Sequence, residues 1–598
     1  MSPSPVAGAQ GALHPDQPGE PTASEIHAAV AQVRASRLFA RSPRMARFLS
    51  FAVEHALAGT GDTLKEYVLG VEVFDRKKDY DPRIDPIVRV EARRLRAKLK
   101  AYYASAGKTD AVIVQFPKGA YAPVFRVRTT AAPRRRAVKP RGADSSIAVL
   151  PFANLSAEPA GDYFSDGLTE ELIHLLTRVE GLRVVAWHSA SQLRGHEQDL
   201  AAVRERLKVD SVLKGAVRRT ATRMRVTVQL IATDSGAVMW SEMYDREMGA
   251  VLAIQEEIAR AIAATLRPAL ALVKPSAPRV APKECYNLCL QGRYHANMRT
   301  AAGLRKSAEC FAEAVRIDPT CDGAHAGLAG ALTLLSEYGL ADTVETMPKA
   351  EAAALRALEL DPQSAEALST LAFIRSLVDW KWTEAETLYR RAISLNPGYA
   401  KARHWYAVDF LALLGRFEEA LRELHTAIHL DPLSLIIHEG YAYIHILRRD
   451  YQTALDSLRQ TMALEPGFFK GYSSMGRTLS LMGRYDEAIE MFETARQKAT
   501  DVPSVVAALG QTFGLAGQTE QALQCLKDLE SMAARAQVPC TCFAMLHLGL
   551  GQKARTLDWL EKAAERREIG ITIIKVHPVY DPLRGEPRFT RLLKRAGF

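Results

Sequence analysis

The clearest local pattern is an amphipathic stretch between residues 85 and 107. Asp85 followed by Pro86 is typical of a helix start, and Gly107 is typical of a helix end. Apolar residues recur between them at helical spacing, and cations repeat that spacing one residue later. The apolar positions are Val88, Ala92, Leu95, Leu99 and Tyr102, and the basic positions are Arg89, Arg93, Arg96 and Lys100. The pattern predicts a helix that buries one face and exposes a row of cations.

The residues after this helix predict a β-hairpin. Residues 111–116 are β-prone, residues 117–119 form a turn around Lys118, and residues 121–127 return. A basic helix followed by such a hairpin resembles the winged-helix DNA-binding domain of bacterial response regulators and their membrane-bound relatives, over about residues 42–127. Residues 95–99 and 118–121 carry the likeness, and residues 48–49, 64–69 and 73–74 occupy the places of the supporting helices. The wing turn is one residue shorter, and the loop at 75–84 is long and charged.

This resemblance implies DNA binding, with the helix along a major groove and the hairpin at the adjacent backbone. The residues predicted to touch DNA are Arg89, Arg93, Arg94, Arg96, Lys100 and Lys118. The alternative is a basic face that only keeps the helix solvated, because Glu91 interrupts its charge.

A second domain is predicted over residues 146–270. Short apolar strands alternate with helical stretches at 162–178 and 199–207, three β-rich runs follow at 211–244, and a helix closes the region at 254–266. The region is similar to the amino-terminal domain of TolB, on the residues 147–152, 154–156, 163–170, 213–215, 229–231 and 240–246. That likeness implies a non-catalytic α/β domain for protein contact. We interpret Asp166, Thr169 and Glu170 as helix-capping and first-turn residues.

The last half repeats itself about every 34 residues. A small residue recurs in the series Ala350, Ala385, Ala420, Ala454, Ala488, Ala522 and Thr556, with a large apolar residue four positions later. Proline follows at 362, 397, 432 and 466, and Gly476 and Gly510 mark a small position in the preceding helix. This is the tetratricopeptide pattern, and it predicts about eight helix pairs between residues 285 and 568. Protein or peptide binding on the concave side is the function that such repeats imply.

Charge and composition narrow the function. The chain carries a formal charge of +10, and residues 1–141 hold 25 Lys and Arg against 13 Asp and Glu, so the remainder is close to neutral. A local basic region favours nucleic-acid binding. No secretory signal or membrane span is expected, and the seven cysteines, all after residue 280, indicate reduced thiols in a cytoplasmic protein. Cys285 and Cys289 are one turn apart, but no His or Cys spacing completes a zinc site, so no metal and no cofactor is expected.

The sequence therefore predicts a multidomain bacterial protein without catalytic activity, since no catalytic motif is found. Its fold class is a winged helix-turn-helix (α+β), an α/β TolB-like domain and an all-α tetratricopeptide solenoid. The predicted parts are a disordered tail 1–23, a winged-helix domain 24–128, a basic linker 129–145, the TolB-like domain 146–270, the repeats 283–568 and a C-terminal cap 569–598. The predicted function is a DNA-binding regulator whose repeats bind a protein. The alternative is a scaffold that does not bind DNA, related to TolB-like and tetratricopeptide proteins that accompany nucleotide cyclases.

Overall fold

A computed structural model describes residues 21–40, 42–77, 79–82, 84–107, 110–117, 120–127, 145–156, 162–179, 181–220, 223–247, 251–266, 282–499 and 502–598. The chain divides into two compact units, Met1–Arg141 and Gly142–Phe598. The predicted tail up to residue 20, the predicted linker up to residue 144 and Lys118 lie outside the described residues. None of the described helices is long and apolar enough to cross a lipid bilayer.

The first unit combines helices with a two-stranded hairpin. The helices are α1 (Ala23–Ala35), α2 (Arg37–Ala40), α3 (Pro43–Leu57), α4 (Glu66–Glu72) and α5 (Ile87–Ala104), with a 3-10 turn at Gly61–Thr63. Strands β1 (Val112–Gln115) and β2 (Val124–Val127) pair antiparallel, with Val112 opposite Val127. The predicted basic helix and the hairpin that follows it are confirmed as secondary structure.

Side-chain acceptors stabilise the starts of α1 and α5. Helix α1 is capped by Thr22, because the Thr22 hydroxyl accepts from the Glu25 N–H while the Glu25 carboxylate accepts from the Thr22 N–H. Helix α5 begins one residue later than predicted, with Pro86 as its N-cap residue. The Asp85 carboxylate still satisfies a free donor there, since it accepts from the Ile87 N–H at 3.1 Å.

The second unit begins with a six-stranded sheet. Its strands are β3 (Ser145–Val149), β4 (Ala153–Asn154), β5 (Leu182–Val184), β6 (Ser211–Arg219), β7 (Arg223–Ala232) and β8 (Val238–Glu247). Five strands follow the order β5-β3-β6-β7-β8, and the sixth, β4, pairs with β6 in parallel. Strand β3 is parallel to both of its neighbours, and β6, β7 and β8 form an antiparallel meander. The connecting helices are α6 (Asp162–Thr177), α7 (Trp187–Ser191), α8 (Leu200–Leu207) and α9 (Val251–Leu266). The strands and helices predicted from alternation are confirmed, and short α7 is an addition.

The interpretation of Asp166, Thr169 and Glu170 as capping residues is wrong. All three lie inside α6, where Asp166 is ion-paired with Arg194, and the Thr169 hydroxyl accepts from the Phe152 N–H at 3.1 Å. Glu170 accepts from the Asn297 side-chain amide at 3.0 Å, across to the repeat region. Burial raises the pKa of Glu170 to about 7. These residues hold the domain together and join it to the repeats.

The remaining residues form eight consecutive helix pairs among those described. The pairs are α10 (Lys283–Asn297) with α11 (Ala301–Ile317), α12 (Asp322–Glu337) with α13 (Thr343–Leu360), α14 (Ala365–Leu377) with α15 (Trp382–Leu395), α16 (Ala400–Tyr406, continued by a π-helical turn Ala407–Leu411) with α17 (Phe417–Leu430), α18 (Leu435–Leu447) with α19 (Tyr451–Leu464), α20 (Phe469–Leu481) with α21 (Tyr485–Lys498), α22 (Pro503–Leu515) with α23 (Thr519–Ala533), and α24 (Cys540–Gly549) with α25 (Lys553–Glu565).

The recurring small residues explain how the pairs stack. Each of the seven lies on the second helix of its pair and is fully buried, from Ala350 to Thr556. Gly510 on a first helix shows why size matters, because a Cβ there would lie 2.7 Å from a Leu546 methyl carbon and 2.8 Å from the Cβ of Cys525. Small residues thus let neighbouring helices approach, and the predicted helical repeat array is confirmed.

The C-terminal segment does more than cap the last pair. It consists of 3-10 turns at Ile569–Lys575 and Pro578–Leu583 followed by α26 (Pro587–Arg595). The indole N–H of Trp382, in the third pair, donates to the Ala596 carbonyl at 3.2 Å, and the rings of Trp382 and Phe598 lie 4.9 Å apart. Arg449 and Asp581 form an ion pair at 2.8 Å. The end of the chain therefore closes back on the middle of the array.

The α/β domain is also joined to the repeats. The backbone N–H of Ala186 donates to the Leu430 carbonyl at 2.9 Å, and the Ser189 N–H donates to the Asp431 carboxylate at 3.1 Å. On the other side, Leu290 of α10 is buried in the core of the α/β domain, packed against Gly167. Two separate contacts thus fix this domain against the array.

Candidate nucleic-acid interface

Helix α5 is positioned by its apolar face. The predicted apolar residues of this face are at most 3% exposed, and they pack with Phe48, Phe74 and Phe116 in one cluster. The ring of Phe48 lies edge-on to Phe74 at 5.5 Å and to Phe116 at 6.0 Å, which ties α3 to the hairpin. The opposite face of α5 is held in a fixed orientation toward solvent.

Two of the predicted contact residues are cations on that exposed face. Arg93 and Lys100 are exposed, and neither has a hydrogen-bond or ion-pair partner within the described part of the chain. They are seven residues apart, so they lie on one side of the helix with a rise of about 10 Å between them. Ala97 lies between them and is also exposed. A small side chain flanked by two exposed cations gives a face that a polyanion can approach closely.

Two further predicted residues are exposed but already paired. The Arg89 guanidinium donates to both carboxylate oxygens of Glu66, at 2.8 and 3.0 Å, and Arg94 pairs with Glu91 at 2.7 Å. The Arg89 hydrogen bond lowers the pKa of Glu66, to which the Tyr121 hydroxyl also donates at 2.8 Å. Arg89 therefore links α5 to α4 and the hairpin, and its charge is partly neutralised.

Arg96 differs most from the prediction. It was expected on the exposed face, but it is half-buried and its guanidinium donates to two hairpin carbonyls, Phe116 at 3.3 Å and Ala120 at 2.8 Å. These carbonyls lie on either side of residues 118–119, which are outside the described residues. Arg96 thus supports the hairpin, because its charge is directed into the domain.

The sequence pattern missed several residues that fix this surface. The Lys98 ammonium donates to the Ser42 hydroxyl and lies 5.7 Å from the Phe39 ring centroid, so it links α5 to the chain around α2 and α3. The Tyr103 hydroxyl accepts from the Val114 N–H at 2.9 Å, which ties α5 to β1. Only periodicity was available from the sequence, and it does not show which cation turns inward.

The charged loop before α5 is held by ion pairs. Arg47 pairs with Asp75 at 2.9 Å, and Arg76 pairs with Asp85 at 2.8 Å. The Tyr80 hydroxyl donates to the Asp85 carbonyl at 2.9 Å, and its ring packs where a Cβ on Gly70 would stand. These contacts hold the loop despite its length, so the start of α5 has a defined position.

The repeat array offers a second candidate surface. First helices of neighbouring pairs contact one another directly, as α12 does α14 and α22 does α24, which places them on the inner side of the array. Polar side chains line this side, and we call Asp409, Glu439, Tyr443, Lys470 and Arg477 the inner row. Burial raises the pKa of Asp409, and Arg477 has no ion-pair partner in the described residues. This mixed charge suits a polar peptide better than an apolar helix.

Comparison with known families identifies two parts of the chain. Residues 143–261 match the family described as HilA/YgeH-like transcriptional regulator, second domain. Residues 472–504, which cover most of α20 and all of α21, match a tetratricopeptide repeat family. The chain therefore carries a HilA-like regulator domain and tetratricopeptide repeats. The HilA-like match covers most of the region predicted to resemble TolB, and the TolB likeness itself stays a prediction.

Individual relatives match shorter stretches. The chain is 34% identical over 239 residues to putative adenylate cyclase 3 of Rhizobium meliloti, which covers 39% of this chain and 40% of that protein. It is 27% identical over 143 residues to the transcriptional regulator HilA of Salmonella typhimurium, covering 24% of this chain and 26% of that protein. A tetratricopeptide repeat protein from Parabacteroides merdae aligns with 45% of this chain and 100% of its own at 16% identity and a TM-score of 0.33. The chain thus spans less than half the length of these two curated relatives.

Proposed function

We propose that this protein is a non-catalytic DNA-binding transcriptional regulator, with a winged-helix domain in its first unit and a protein-binding repeat array in its second. The observation that carries the DNA-binding part is the pair of exposed cations Arg93 and Lys100 on α5, which have no partner among the described residues, in a chain that also holds a HilA-like regulator domain. An α-helix fits the major groove, and cations on its outer face are placed for phosphates and base edges.

The roles of the six predicted residues divide under this proposal. Arg93 and Lys100 contact DNA directly. Arg94 is ion-paired with Glu91 one turn earlier on the same helix, so it contacts DNA by breaking this pair or by bonding to both groups. Arg89 and Arg96 act through the positions of α4 and the hairpin, to which they are bonded. Lys118 is proposed at the backbone beside the groove on the resemblance alone.

The test is binding of the full-length protein to fluorescent duplex DNA, measured by anisotropy over a series of salt concentrations. Phosphate contacts release counterions, so the affinity of the wild-type protein should fall steeply with salt. Arg93→Ala and Lys100→Ala should each lower the salt slope by about one unit if the side chain contacts phosphate. Arg34→Ala is the matched control, because Arg34 is an exposed arginine on α1. Equal effects of Arg34→Ala and Arg93→Ala would contradict a specific role of α5.

The repeats are proposed to bind a polar peptide or protein segment along the inner row. Separate fragments are poor tools for this test, because Leu290 of α10 is part of the α/β core and a cut near residue 280 exposes it. Point variants of the whole chain avoid the problem. Arg477→Glu should remove a partner recovered by affinity purification, while Arg459→Glu, on second helix α19, should keep it. Recovery of the same partners by both variants would contradict binding along the inner row.

The second candidate is a scaffold that does not bind DNA. It is favoured by the 34% identity to a putative adenylate cyclase, a level of identity higher than that to HilA. Under this alternative the basic face of α5 binds an acidic protein surface. Wild-type protein that shows no DNA affinity even at low salt, but loses a protein partner on Arg93→Ala, would favour the scaffold.

A further inference from the structure

Three cysteines from two helices meet in the first two helix pairs. The Sγ atoms of Cys285, Cys289 and Cys321 all lie within 4.8 Å of one another. Cys285 and Cys289 are one turn apart on α10, and Cys321 is the N-cap residue of α12. The first two are buried and the third is half-buried, so Cys321 forms the accessible side of the cluster.

The set of donor atoms is made of sulfur alone. Within the described residues no carboxylate oxygen or histidine nitrogen joins the three sulfurs at that spacing. His325, one turn after Cys321, has its Nε2 atom 3.1 Å from the Pro319 carbonyl, and the neighbouring walls are apolar, with Phe311 and Ala324. Structural zinc sites use four ligands in a tetrahedron, so this cluster is one ligand short for zinc.

Three sulfurs do suit a soft ion that takes three ligands. Thiolates prefer soft, thiophilic ions. Three sulfurs bound at about 2.3 Å stand about 4.0 Å apart when the ion lies in their plane, and about 3.3–3.6 Å apart when a lone pair makes the site pyramidal. The three Sγ atoms here lie within 4.8 Å of one another, slightly wider than either arrangement needs. Small rotations of the cysteine side chains close the remaining distance.

Charge narrows the choice of ion. Three thiolates carry three negative charges, and a net charge is costly in a largely buried, apolar site. A monovalent ion leaves two of these charges and a divalent ion leaves one, whereas a trivalent ion leaves none. The cluster therefore matches a trivalent thiophilic ion that needs no fourth ligand.

We propose that Cys285, Cys289 and Cys321 form a binding site for trivalent arsenic or a metalloid of the same chemistry. In the reaction with arsenous acid, three S–H bonds and three As–O bonds break, and three As–S bonds form. Each thiol proton leaves with a hydroxide as water, so the reaction releases three waters and changes no oxidation state. The product joins α10 to the start of α12, next to the contact of α10 with the α/β domain.

The test uses the reduced full-length protein and sodium arsenite, with the intact mass measured under native conditions. The expected result is one adduct per chain, heavier by one arsenic atom less three hydrogen atoms, with a raised melting temperature because the ion binds the folded state. Zn(II) is the second probe. Tighter binding of Zn(II) than of arsenite at the same cysteines would overturn the three-ligand assignment.

Serine variants identify the site. Cys289→Ser and Cys321→Ser should abolish the adduct, and Cys321→Ser should keep the wild-type melting temperature without arsenite, because Ser is a favoured N-cap residue. Cys310→Ser is the matched control, since Cys310 is buried in α11 of the same region but lies outside the cluster. Absence of the adduct in the wild-type protein, its retention in Cys321→Ser, or its equal loss in Cys310→Ser would overturn the proposal.

Discussion

Arg93 and Arg96 lie nearly one turn apart on α5. The structure predicts that changing Arg93 to alanine affects DNA binding, whereas changing Arg96 to alanine affects stability. Arg93 is exposed and unpartnered within the described residues, whereas Arg96 donates to the carbonyls of Phe116 and Ala120. Arg93→Ala should therefore affect DNA binding and leave stability unchanged. Arg96→Ala should destabilise the hairpin first, and any loss of DNA binding should follow from that.

The magnitudes follow from the contacts. Substitution of an exposed residue without partners usually changes the free energy of unfolding by less than about 0.5 kcal/mol, which is the expectation for Arg93→Ala. Hydrogen bonds from a charged group contribute about 1.5–3 kcal/mol each when buried, and half-exposure reduces this to about 1–2 kcal/mol for Arg96→Ala. Leu95 is fully buried, so Leu95→Ala should lower the free energy of unfolding by about 2–5 kcal/mol, the largest change expected among the three variants.

Two measurements on the same variants separate these effects. Denaturant unfolding of residues 1–141 gives the stability, since this unit has its own apolar cluster. Anisotropy with duplex DNA gives the affinity and its salt slope. Arg93→Ala should unfold like the wild type and lower the slope by about one unit, or lose about 1–3 kcal/mol if it touches a base. An Arg93→Ala variant as unstable as Leu95→Ala would refute the exposed assignment, and an unchanged slope and affinity would refute the role of α5 in DNA binding.

Three further predictions concern the second unit. Burial raises the pKa of Glu170 to about 7, so ionisation of this carboxyl lowers the stability of the fold as pH rises from about 4.5 to 7. Glu170→Gln should therefore raise the free energy of unfolding by about 1–3 kcal/mol at pH 8 and leave it unchanged near pH 4, which thermal melting at the two pH values measures. Gly510→Ala should cost about 1–3 kcal/mol by overpacking, whereas Gly323→Ala, whose Cβ would meet no atom closer than 3.8 Å, should be neutral or stabilise α12 by up to about 1 kcal/mol in denaturant unfolding. Trp382→Ala removes the indole hydrogen bond to Ala596 and should increase the rate of hydrogen exchange in α26 far more than in α10. An equal increase in both helices would contradict closure of the array.

The spacing of apolar and small residues along the chain predicted the helices, the strands and their buried faces. The apolar face of α5, the strands of the α/β domain and every recurring small residue of the repeats lie where spacing indicated. The reason is that helix and strand each impose a fixed side-chain period, and a core selects apolar residues at that period. The start of α1 could also have been predicted, because Thr22 and Glu25 form the sequence signature of a capping box.

What the sequence could not show are contacts between distant residues. Arg93 and Arg96 belong to the same predicted basic row, and only the contacts of Arg96 with the hairpin carbonyls of Phe116 and Ala120 distinguish them. Cys321 joins Cys285 and Cys289 only because α12 packs beside α10, so no spacing along the chain could indicate the third sulfur. The sequence analysis placed Cys285 and Cys289 one turn apart, but it did not bring the Cys321 sulfur beside them.

The joint between the α/β domain and the repeats limits how a signal can pass through the second unit. A Cβ on Gly167 would lie 2.6 Å from Leu290, and the Ser189 N–H is bound to the buried carboxylate of Asp431. Close-packed contacts of this kind do not stretch gradually, so they either hold or break. A partner bound along the inner row can change the α/β domain only by favouring one of these two states. Glu170 and Asn297 lie at the same joint, so the pH dependence of Glu170→Gln reports on the joint as well as on stability. If a bound partner left hydrogen exchange in α6 and α10 unchanged, partner binding on the repeats would not change this joint, and two-state coupling through it would be refuted.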